Sequence, residues 1–169
     1  MAKPANPRWV TLSLGFVESR ILLECLASIR KVYAVNPAEI DDSASEVWYS
    51  RRGCESAGMS KEDSDAWIES LHDLKLQHLD AIERWIRALA KKEDDPCVMR
   101  IRIEEVPGFL TVLNDHRLLV AARTGVTEEE MNVESIFDLE EFPQTKQRAL
   151  IEMDLLGGVM QQVMMRAEL

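Results

Sequence analysis

Hydrophobic and polar positions alternate strictly at the start of the chain. Val10, Leu12, Leu14 and Phe16 are separated by Thr11, Ser13 and Gly15, and a period of two is the mark of a half-buried strand. From Glu18 the period lengthens. Leu22, Leu26, Ile29 and Tyr33 lie on one face of a helix, and Asn36-Pro37 ends it, because the residue before a proline is pushed out of the helical region. Residues 38–59 carry no sustained period. Glu46–Tyr49 is a candidate short helix, but Gly53 and Gly58 mark the stretch as an irregular loop region. Ser60, with Asp63 three positions on, reads as a helix start. The stripe Trp67, Leu71, Leu74 and His78, continued by Ile82, Trp85 and Leu89, then predicts one helix from Lys61 to about Lys91. At 1.5 Å per residue it would be roughly 45 Å long, a central strut with Trp67 and Trp85 both turned to the core.

Asp94-Asp95-Pro96 breaks that pattern. Cys97, Met99, Ile101 and Ile103 alternate with Val98, Arg100 and Arg102 as a second strand. Pro107 suits the first turn of the next helix, which turns Val106, Leu110, Leu113 and Val120 inward and stops at Gly125. Thr127 and Glu130 form a capping box that opens a short acidic helix. After Phe142-Pro143 a last helix carries Leu150, Met153, Leu156, Met160 and Met164 on one face. The expected fold is therefore mainly α with a small two-stranded β element, a compact helical bundle around one long central helix. Residues 1–169 form a single domain, with 1–8 expected to be flexible.

Composition narrows the function classes. Apolar residues make up 46% of the chain, enough for a packed core. The formal charge is −10, and the acid is concentrated in residues 53–96 and 127–169. Affinity for duplex DNA comes largely from Lys and Arg neutralising phosphates, so neither nucleic acid nor an anionic membrane is expected as a partner. No run approaches the ~20 apolar residues of a membrane helix, and the N-terminus does not read as a signal peptide. Cys25, Cys54 and Cys97 are an odd set with no C-x-x-C pair, and read as packed thiols rather than a disulfide framework. A cytoplasmic location follows as the expectation.

Leu113-Asn114-Asp115-His116-Arg117-Leu118 and Arg123-Thr124-Gly125-Val126-Thr127-Glu128 resemble the hallmark of an uncharacterised bacterial domain-of-unknown-function family. The opening strand, the Glu-bearing first helix and the final helix with Leu156-Gly157-Gly158-Val159 are similar to that family as well. The resemblance implies no activity, cofactor or catalytic residue. In some bacteria genes of similar proteins lie near that of ClpS, a protease adaptor, which implies an association with proteolysis.

Candidate chemistry is sparse. Asn114 and Asp115 are poor helix formers placed in mid-helix. With Arg117 and Arg123 they make a candidate binding patch, although hydrogen bonds tying the helix to a neighbour would account for Asn114 and Arg117 as well. His72 and His78 are six apart, about 240° around a helix, so they are poor co-ligands. Neither they nor His116 sit in an H-x-x-x-H pattern, and packed or surface histidines are the plainer reading. The acidic residues from Glu128 to Glu141 lack the spacing of a calcium loop and read as a solvated face. No nucleophile elbow or phosphate loop is present. No metal, cofactor or catalytic residue is assigned. The leading expectation is a cytosolic non-enzymatic protein-binding or adaptor protein, the alternative an enzyme or small-molecule sensor built around Asn114, Asp115 and Arg117. A protein partner is expected, and self-association tips slightly toward a homodimer over a monomer.

Overall fold

The computed structural model describes residues 8–90, 96–132 and 138–168. Of the expected flexible stretch only Arg8 lies among them. The chain is mainly helical with one two-stranded antiparallel sheet. Strand β1 (Trp9–Leu14) pairs with β2 (Cys97–Arg102), setting Val10 opposite Ile101, Leu12 opposite Met99 and Leu14 opposite Cys97. All six side chains are buried, so the period-two pattern sends one face of each strand into the core, as pleating requires. Helix α1 (Phe16–Tyr33) follows at once, its start held by Glu18, whose carboxylate accepts from the Gly15 N–H at 2.8 Å. Phe16 therefore belongs to the helix and is 63% exposed, rather than continuing the inward row of the strand.

Residues 38–59 are more ordered than their pattern suggests. They hold α2 (Asp42–Tyr49) and α3 (Arg51–Ser56). The first is capped by Asp41, whose carboxylate accepts from the Ala44 N–H at 3.1 Å. The two helices join at Ser50, which adopts a left-handed φ of 45°, a conformation uncommon for serine. The sequence carries no glycine at this corner to mark the turn, and Gly53, read as a loop marker, lies inside α3.

The expected helix over 61–91 is two helices, α4 (Lys61–Leu76) and α5 (Leu79–Ala90), interrupted at Gln77 and His78. Each half packs on different neighbours: α4 on α1, α2 and α3, α5 on α1 and β2. With those different neighbours, Trp67 is 52% exposed while Trp85 is 3% exposed and meets Phe109 edge to face at 4.9 Å. His78 itself lies against Gly108, where an added Cβ would come within 3.2 Å of the imidazole. Residues 61–90 therefore do not form one strut. The central place is shared by α1 and α6 (Val106–Thr124), each of which touches α7 (Gln144–Ala167) and the other.

α6 ends as its sequence predicts, at Gly125 with φ 71°, its N–H bonded to the Ala121 carbonyl. The Thr127–Glu130 capping box also forms, but among the described residues it opens only one 3-10 turn, Glu130–Asn132. The continuation of the expected acidic helix falls in 133–137, outside those residues. α7 runs back along the sheet, and Arg166 in its last turn donates to the Thr11 carbonyl of β1. One large core joins the sheet to α1, α2, α4, α5, α6 and α7, and a smaller cluster sits under the α6–α7 connection.

The different packing of the two helices predicts unequal tryptophans. Trp85→Ala should cost about 3–5 kcal/mol, the range for large buried aromatics, and Trp67→Ala less than about 1 kcal/mol, as for exposed positions. Urea denaturation of both variants checks this. Equal losses would restore the unbroken helix.

Candidate functional site

Two polar clusters lie against different faces of α6. The first centres on Asp115, whose Oδ2 accepts from Lys75 Nζ and from the Tyr33 hydroxyl, each at 2.6 Å. The Asp115 backbone carbonyl accepts from Trp48 Nε1 at 3.1 Å. Lys75 Nζ lies 4.9 Å from the Trp48 ring centroid and 5.2 Å from that of Tyr33, within cation–π range. Close by, the His72 imidazole is 2.9 Å from the Tyr33 carbonyl at the end of α1. Burial first, then the neighbouring Asp115 carboxylate, pushes the Tyr33 phenol well above its ordinary range, and the same causes raise Tyr49 to about 12. Both stay protonated at neutral pH. The ammonium and carboxylate are nearly enclosed, with side chains 12% and 15% exposed. This cluster is already filled by the protein's own groups, and it joins α1, α2, α4 and α6.

The second cluster floors a cavity of about 480 Å³ between α1, α6 and α7, a size usual for ligand sites. Helical spacing builds it from all three walls. α1 gives Ile21, Glu24, Cys25 and Ser28; α6 gives His116, Leu119, Val120 and Arg123. Each set follows i, i+3, i+4, i+7, which is one helix face. α7 adds Gln144, Gln147, Arg148, Ile151 and Glu152. The rim cations are held by exposed partners, Arg123 by Asp41 at 2.5 Å and Arg148 by Glu24 at 3.5 Å, and such pairs contribute little and part readily.

On the floor, Glu152 Oε1 accepts from the Cys25 thiol at 3.3 Å and lies 2.5 Å from His116 Nε2. Cys25 is 3% exposed and His116 4%. Burial, followed by the charge and hydrogen bond of Glu152, pushes the Cys25 thiol far up. Burial alone would raise Glu152, but its hydrogen bond with His116 and the charge there, with smaller help from Cys25 and Arg148, hold it below the usual carboxylate range. The order thiol–carboxylate–imidazole matters chemically. A nucleophilic cysteine needs the imidazole beside the sulfur to stabilise a thiolate, whereas here the sulfur faces a carboxylate that keeps it protonated.

The four candidate residues do not converge. Asn114 faces solvent. Asp115 points into the Lys75 cluster. Arg117 lays its guanidinium over Gly157 of α7, about 4 Å from where a Cβ would stand. Only Arg123 reaches the cavity, at its rim. Sequence reasoning passed over Cys25, His116 and Glu152 as a set. The available signal was a histidine and a cysteine on otherwise apolar helix faces, beside Leu113 and Leu119 and beside Leu22 and Leu26.

Two outcomes test these assignments. Asp115→Asn should cost about 3–5 kcal/mol, because it strands the buried Lys75 charge, and Lys75→Met added to it should recover most of that loss in urea melts. An equal loss in both would mean the pair is not the cause. The depressed Glu152 carboxyl contributes stability that is complete above the unfolded-state value of about 4.3 and disappears as pH falls through the lower folded-state value. Glu152→Gln should therefore flatten the acid limb of a stability-versus-pH curve and lower stability at neutral pH.

Comparison with known proteins adds a family and no activity. No curated protein and no solved structure matches the chain. A family profile described as a domain of unknown function, DUF2017, matches residues 59–167. That span holds α4 to α7, with Asp115, His116 and Glu152 inside it and Cys25 outside. With more than half of its length matched, the chain belongs to the DUF2017 family of proteins of unknown function.

Proposed function

We propose that this is a cytosolic, non-enzymatic binding protein of the regulatory or adaptor kind, which takes a small ligand or a chain end in the cavity between α1, α6 and α7. The observation that carries the reading is the cavity itself. Three helices each devote a continuous face to it, with apolar walls at Ile21, Leu119 and Ile151 and convergent polar groups on the floor and rim. The blocked order of the floor triad argues against nucleophilic catalysis. The resemblance noted in the sequence extends the proposal to a place beside cytosolic proteolysis.

Fragment screening by amide chemical-shift perturbation tests the reading, with a chelator present. Bound fragments should perturb amides around Ile21, Val120 and Ile151. Ser28→Trp, which fills the cavity from α1, should abolish these shifts without lowering the melting temperature by more than a few degrees. Hits confined to other surfaces, or unaffected by Ser28→Trp, would overturn it.

One further observation favours a protein partner as a second reading. α4 turns Trp67 and Leu74, both more than half exposed, to solvent on one face. A partner that uses this face would lose affinity on Trp67→Asp and be indifferent to Ser28→Trp.

A further inference from the structure

We propose that Cys25, His116 and Glu152 form a binding site for a zinc-class divalent cation, with three protein ligands and one coordination position open to the cavity. The three side chains come from three helices, and their candidate ligand atoms all lie within 4.8 Å of one another. In a tetrahedral zinc site such atoms stand roughly 3.3–3.6 Å apart, given bonds of about 2.0–2.3 Å. The sulfur–oxygen separation is already 3.3 Å. The nitrogen–oxygen separation of 2.5 Å must open by less than about 1 Å, and Glu152, the least buried of the three, can yield this by a rotamer adjustment.

Charge and donor type point the same way. Thiolate, imidazole and carboxylate together suit zinc and its neighbours rather than magnesium or calcium, which take oxygen alone. One thiolate and one carboxylate cancel a divalent charge, so the occupied floor is neutral where it is most enclosed. The proton balance is simple. Cys25 gives its thiol proton to solvent on binding, Glu152 binds as the carboxylate, and His116 binds as the neutral imidazole with one N–H, releasing to solvent the second proton of its charged form. His116 Nδ1 is buried and has no hydrogen-bond partner among the described residues. Nε2, which faces Glu152 Oε1, is the nitrogen placed to take the metal, and the ring proton then resides on Nδ1. Three protein ligands with a fourth position facing a cavity is the arrangement of zinc sites that accept a further ligand. The site shares its cavity with the function proposed above but requires no organic ligand, so either idea can fail without the other.

Cobalt(II) is the probe, since bonding to thiolate gives a near-ultraviolet charge-transfer band. The full chain, stripped with chelator and titrated with cobalt near neutral pH, should develop that band together with intense visible bands of a four-coordinate ion. Both should saturate at one equivalent and be bleached by zinc. Cys25→Ser should remove the charge-transfer band, while Cys54→Ser and Cys97→Ser retain it. Glu152→Gln, at a half-buried position and thus the variant safest for folding, should weaken cobalt binding at least about tenfold. Absence of the band in the wild-type chain, its survival in folded Cys25→Ser, or unchanged affinity in Glu152→Gln would overturn the proposal. Cobalt bound without the sulfur band would mean only that the acidic surface attracts cations, and would count against it equally.

Discussion

The packing of this protein turns on one enclosed ion pair. Lys75 and Asp115 meet at 2.6 Å, mostly out of water, inside a ring of Tyr33, Trp48 and Tyr49. Removing two charges from solvent is costly, and attraction alone rarely offsets it. Here the Tyr33 hydroxyl gives the carboxylate a further donor, the rings face the ammonium, and the Trp48 indole ties α2 to the Asp115 backbone carbonyl. Such a pair has narrow geometric tolerance, because any misplacement strands a charge. The ends of α1 and α4, the body of α2 and the middle of α6 are therefore fixed relative to one another. The broken course of residues 61–90 fits this constraint: the last turn of α4 delivers Lys75 inward, and the chain then bends before α5 resumes against α1 and β2.

Local signals made a good part of the fold readable from residues alone. Both strands, the Gly125 stop, the Ser60 cap, with Asp63 N–H bonded to its hydroxyl, and the final helix depend on neighbours within a few positions, where period and capping chemistry act. What escaped depends on distant contacts. Trp67 and Leu74 match the helical stripe as well as Trp85 does, and only the identity of what packs on each half separates them. Ser50 makes its corner in a backbone conformation that serine seldom announces. The cavity floor is the extreme case. Cys25 and Glu152 are 127 residues apart, and no spacing rule links them. The hallmark segment lies on α6, but the polar residues that stand out there by their poor helix propensity, Asn114 and Asp115, are not those that line the cavity.

Charge is handled pairwise. Arg30 sits against Glu83, Arg84 against Glu105, Arg123 against Asp41 and Lys146 against Glu130. Their fields are largely cancelled where they stand, leaving the excess acid to set the long-range potential. Approaching anions meet repulsion, whereas cations are drawn in.

Asp115 and His116 are consecutive, so their side chains leave α6 about 100° apart and enter two unrelated polar clusters. A helix held by apolar side chains alone can roll by some degrees at small expense, since one methyl substitutes for another. This one is keyed like an axle with two splines cut at a fixed angle. Turning it to ease one fit jams the other. Whatever enters the cavity and displaces His116 thus applies a torque that is felt, through a rigid helix, at the ends of α1, α2 and α4.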